Sequence, residues 1–163
     1  MSYSIYDACI PPLIHMLGSL SSILAKGEAH GGIDPAEARL APDMLPLKSQ
    51  VYIATDSAKG CGGRLAGVEI PKYEDTENTF PELKARVAKT IVFLKSLDRA
   101  KFAGSENKQI VLKFPNATFE YTGTDYVNNF VLPNVYFHIT TAYGILRNRG
   151  VALGKSDYLG GQK

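Results

Sequence analysis

The chain has 163 residues and a formal net charge of +2, and it is 45% hydrophobic and 21% charged, which fits one folded domain with a real core and excludes a disordered or fibrous segment. Its 18 lysines and arginines are spread rather than massed, which argues against nucleic acid or an anionic membrane surface as a partner. No apolar run approaches the ~20 residues of a bilayer span, the opening MSYSIYDACIPPL has no basic leader, and a single cytoplasmic domain over 1–163 is expected.

Ile5, Cys9, Leu13, Met16, Leu17, Leu20, Ile23 and Leu24 recur at three- and four-residue spacing, which predicts a first helix from Ser4 to about His30. Gly31-Gly32 stops it. Pro11 and Pro12 fall inside this pattern and predict either a kink or a helix that begins near them. His15 lies opposite Leu13 and Leu17 and reads as a solvated surface residue. His30 falls in the last turn, where an imidazole suits the negative end of the helix dipole. Asp34-Pro35-Ala36-Glu37 reads as a short helical start with a capping box.

A second helix should begin around Asp43 or Pro46, with Leu47, Val51, Ala54, Ala58, Cys61 and Leu65 as a bundle seam. Its other side carries Ser49, Tyr52, Asp56, Gly60 and Gly63. Either that helix is buried on both faces or Asp56 is solvated. Lys59 and Arg64 are open to two readings, contact with an anionic ligand or a solvated helix face. Cys9 and Cys61 lack CxxC spacing and sit on apolar stripes, which suits reduced, buried thiols better than a disulfide, a zinc site or a nucleophile.

Thr79-Phe80-Pro81-Glu82 forms a capping box with proline just inside the start of a third helix. Phe80, Leu83, Val87, Ile91, Leu94 and Leu97 form its core face. From Gln109 to Thr122 the period changes to two, with a Pro115-Asn116 turn, and predicts a β-hairpin inserted between helices. Thr122 or Thr124 caps a fourth helix. On it Val131, Asn134, His138, Thr141, Ala142 and Ile145 share one face, so Asn134 and His138 point toward the core, one turn apart. Polar groups in an apolar interior are costly unless bonded, so this pair marks the candidate site. Pro133 frees a backbone carbonyl beside it. The tail from Val151 to Lys163 reads as extended, lying across the bundle or a partner subunit.

The segments ARLAPDMLPLKSQVYIATDSAKGCGGRLAGVEIPKYEDTENTF and LPNVYFHITTAYGILRNRGVALGKSDYLG resemble DUF1993, a bacterial domain-of-unknown-function family of the DinB-like superfamily. The resemblance implies an all-α fold, an antiparallel four-helix bundle with the small hairpin between helices 3 and 4. It also implies a homodimer and kinship with metal- or thiol-dependent transferases and isomerases. The superfamily carries three histidines, one on the second helix and an HxxxH pair on the fourth. His138 matches the second of that pair, Asn134 stands at the first, and the second-helix ligand falls near Asp56-Ser57.

The resemblance therefore implies His138, Asn134 and Asp56 as ligands of a divalent metal, zinc, nickel or iron. One imidazole remains of three, which lowers the affinity for such metals. In an enzyme, His138 and Asp56 would be the catalytic pair, with Asn134, Tyr52 and Thr141 binding a small molecule. The alternative is a non-catalytic small-ligand-binding or dimeric interaction protein whose metal site has decayed.

Overall fold

The computed structural model describes residues 3–161. Helix α1 (Ile5–His30) is capped by Ser4, whose hydroxyl accepts the Asp7 N–H while the Asp7 carboxylate accepts the Ser4 N–H at 2.9 Å. That box fixes the start ahead of both prolines, and Pro11 and Pro12 ride within one uninterrupted helix, so it does not begin at them. Gly31, with φ of 74°, ends it. By length and composition α1 could cross a membrane, contrary to the expectation of no such segment, because its apolar stripe is dense enough to raise the whole window; half of that window is buried within the bundle.

Asp34 makes a single turn, its carboxylate accepting the Ala36 N–H at 2.8 Å. No helix follows, and Glu37 lies toward Arg39 rather than back on the cap. Helix α2 (Leu47–Ala66) starts immediately after Pro46. Its seam is wholly buried, and so are Tyr52, Thr55, Lys59, Gly60, Gly62 and Gly63 on other sides. The helix is packed on both faces, with Asp56 half-buried between them. Absence of side chains permits this: a Cβ on Gly62 would lie 2.5 Å from a Leu97 methyl.

Helix α3 (Phe80–Lys95) opens on the expected box, with Glu82 accepting the Thr79 N–H and hydroxyl at 2.9 and 2.8 Å. Strands β1 (Gln109–Phe114) and β2 (Ala117–Thr122) pair antiparallel around Pro115-Asn116. Thr122 then caps a single turn, Gly123–Asp125, that runs through a π-helical segment, Tyr126–Val131, into α4 (Leu132–Asn148). The wider π turn places Pro133 at the start of α4, where a missing N–H costs little. The described part of the tail forms one turn, α5 (Lys155–Tyr158), held on α1 by Lys26–Asp157 at 2.7 Å and by His15 Nε2 to the Leu159 carbonyl at 3.0 Å. His15 is exposed but not free. Residues 162 and 163 of the expected tail lie outside the described part.

Around the bundle α1 adjoins α3 and α4, and α2 adjoins α3 and α4. Phe80, at the start of α3, and Leu146, near the end of α4, both close on Gly27 near the end of α1. Lys48 and Asn78 bond at 2.8 Å, so α2 and α3 start together. The bundle is thus two antiparallel pairs, α1/α3 and α2/α4, set side by side. This order forces residues 67–79 to run back along the 20 residues of α2, about 30 Å of helix. A chain of that length reaches about 43 Å only when nearly extended, so the crossover has no ladder of its own and must be tied down by side chains.

Candidate functional site

The five expected site and ligand positions fall on opposite sides of α2, in two separate networks. On the α4 side, His138 is 8% exposed and its Nδ1 lies 2.7 Å from Gln50 Oε1, while Gln50 Nε2 donates to the Leu45 carbonyl at 2.9 Å. Asn134 Nδ2 donates to Ser57 Oγ at 2.8 Å. Gln50 and Ser57 stand seven residues, two turns, apart on α2, and their partners stand one turn apart on α4. Two polar rungs therefore join these helices. Thr141 is on the same helix and buried, with its hydroxyl donated to the Phe137 carbonyl at 2.8 Å.

On the α3 side, Arg86 is fully buried and its guanidinium takes four partners. Nε donates to Thr55 Oγ1 at 2.8 Å, Nη1 to Glu77 at 3.0 Å and Nη2 to Asp56 at 2.9 Å, while Asp75 forms an ion pair with Nη2 at 2.9 Å. The rings of Tyr52 and Tyr73 lie 4.6 and 5.0 Å from it. Lys59 lies 3.1 Å from Asp56, and the Tyr52 hydroxyl donates to the Glu77 carbonyl. Burial pushes the Glu77 carboxyl up, but a backbone hydrogen bond and Arg86 outweigh it and hold Glu77 below the usual carboxylate range. This cluster is the tie that the crossover needs.

Asp56 and Tyr52 accordingly do not join His138. The expected grouping of His138, Asn134 and Asp56 is corrected by α3, which packs along α2 and takes the carboxylate. Lys59 and Arg64 do not form a solvated helix face: Lys59 is buried against Asp56, and the half-buried Arg64 donates from Nη1 to the Tyr126 hydroxyl at 3.0 Å. Burial raises the Tyr126 phenol to about 12. Cys9 and Cys61 are free, fully buried and in hydrogen-bond contact, which together with burial pushes the Cys61 thiol up. They are poor nucleophiles there.

A family model described as a domain of unknown function, DUF1993, matches residues 5–159. The chain belongs to the DUF1993 family. A crystal structure of a DinB family member protein from Shewanella denitrificans superposes on it with a TM-score of 0.83 and 38% identity, covering 96% of this chain and 92% of that one. No functionally curated protein matches. The DinB relationship makes a metal the first group to test against the residues of this DUF1993 chain, and they do not fit one. His138 has a single ring nitrogen, Nε2, left to offer, Asp56 is committed to Arg86 and Lys59 on the other side of α2, and no three His, Cys, Asp or Glu side chains converge among the described residues.

Gln50 and Arg86 are the site residues that sequence reasoning missed, and Ser57 was named only as a neighbour of Asp56. Gln50 and Ser57 lie on the α2 seam beside Leu47, Ala54 and Cys61, and Arg86 lies in the core phase between Leu83 and Val87. A polar residue in an apolar phase was the available signal. Burial also lowers the His138 imidazole below its ordinary 6.5, so the fold favours the neutral ring. Stability from this residue is complete above about pH 6.5 and is lost as the pH falls through the folded value, because the unfolded chain takes up the proton first. Between about pH 7.5 and 5.5, the urea midpoint of the native protein should fall more steeply than that of His138→Gln. Parallel curves would show that His138 carries no such linkage.

Proposed function

We propose that this DUF1993 chain is a non-catalytic binding protein, a DinB-type bundle whose metal site has become a metal-free polar seam between α2 and α4. One observation carries the reading: the carboxylate and the imidazole that a metal-dependent or acid–base site needs together are held apart, Asp56 by Arg86 on α3 and His138 by Gln50 on α2. Oxygen ligands and a single imidazole form a weak set for zinc or nickel even when they converge. The seam instead offers hydrogen-bonding groups at the α2–α4 junction, flanked by Phe137, which is 57% exposed.

Metal loading tests it directly. Purified untagged protein is incubated with zinc, nickel or iron(II), desalted and analysed by elemental mass spectrometry alongside His138→Ala. The expected result is far less than one metal per chain in both. Near-stoichiometric metal in the native protein that disappears in His138→Ala would restore the metal-dependent transferase reading.

A further inference from the structure

We infer that the polar seam between α2 and α4 accepts a hydrogen bond from a ligand at His138 Nε2, and that the ligand is a neutral N–H or O–H donor on an apolar ring. The inference rests on the metal-free reading and deepens it. Its first step is a proton count. The Leu45 carbonyl can only accept, so the group of Gln50 bonded to it at 2.9 Å is the amide NH2, and the Gln50 carbonyl oxygen is the atom 2.7 Å from His138 Nδ1. That oxygen can only accept in turn, so Nδ1 carries the proton and the neutral ring keeps a bare lone pair on Nε2.

No group among the described residues bonds Nε2, and no buried side-chain nitrogen or oxygen among them is without a partner. Nε2 therefore meets solvent. One turn away, Asn134 donates its Nδ2 to Ser57, which leaves its Oδ1 as a second acceptor on the same face. The Phe137 ring stands edge-on to His138, with centroids 5.2 Å apart, and offers an exposed wall. Two lone-pair acceptors repel an anion. Asp56, turned to α3, supplies no countercharge for an ammonium group. A neutral donor with an aromatic body satisfies both the acceptors and the wall.

Gln50 is on this account a positioning residue, and its effect is readable without activity. Two-bond 15N–1H correlation spectra of the full chain report which ring nitrogen is protonated, and phenol is the probe, with anisole and benzoate as isosteres lacking the donor. The expected result is Nδ1 protonated and Nε2 bare. Phenol should shift Nε2 saturably and bind about threefold to tenfold more tightly than anisole, the value of one hydrogen bond, and benzoate should leave Nε2 unmoved. Gln50→Leu should mix the tautomers and weaken phenol. A proton on Nε2 in the native protein, equal effects of phenol and anisole, or a response to benzoate overturns the inference. Metal analysis of the same sample separates the two failures: stoichiometric metal overturns the metal-free reading, whereas metal-free protein indifferent to phenol overturns only this one.

Discussion

Arg86→Ala should lower the stability of the protein by about 3 kcal/mol, the lower end of the ~3–5 kcal/mol for breaking a buried ion pair. The lower end applies because the partners differ in burial. The Glu77 side chain is 13% exposed and keeps only the Lys89 ammonium at 3.4 Å, whereas Asp56 and Asp75, 43% and 56% exposed, can turn to water. The same change removes the cation held between Tyr52 and Tyr73 and the donor to Thr55. Arg86→Lys should recover only part of the loss, since one ammonium cannot serve partners arranged around a planar fork. Urea denaturation measures the stability, and hydrogen exchange should show the amides of residues 72–78 opening first. A loss below about 1 kcal/mol, within the range of surface ion pairs, with unchanged exchange would mean that the crossover is held by something other than this cluster.

Gly123→Ala is the second large effect, and its cause is backbone. A Cβ at Gly123 would lie 1.8 Å from the Ser105 carbonyl oxygen and 2.9 Å from its carbon. Neither can rotate away, so the turn leading into α4 must shift from the segment it packs on, at a cost of about 3 kcal/mol or more. Gly62→Ala should cost less, because the atoms it meets are terminal methyls of Leu97 and Leu94. Gly18, inside α1 with nothing within 4 Å of a built Cβ, should show the opposite sign. There alanine should stabilise by about 0.5–1 kcal/mol by removing backbone freedom from the unfolded chain. Thermal and urea midpoints of the three variants rank them. If Gly123→Ala matches the native midpoint, residues 105 and 123 are not in contact.

Much of the scaffold was legible because its signals are local. Ser4 and Asp7 cap α1, Glu82 reaches back to Thr79, and the alternation around Pro115-Asn116 folds into the hairpin. In each case residues within a few positions satisfy one another's backbone groups, and nothing distant is needed. The seam of α2 was legible for the same reason, since helical period alone places Leu47, Val51, Ala54, Ala58, Cys61 and Leu65 on one buried stripe. His138 and Asn134 were marked as inward-facing by period as well.

What period could not supply was a partner. Asp56 lies on a helix that packs against both α3 and α4, so its phase names neither as its neighbour. The bond between Asp56 and Arg86 spans 30 residues and that between His138 and Gln50 spans 88. The sequence by itself determined where helices start and stop and which faces are apolar, through interactions within a turn or two. The order of helices around the bundle was decided only in three dimensions, because many apolar stripes of similar shape can pack together while each polar group accepts only the partner that packing brings within hydrogen-bond reach.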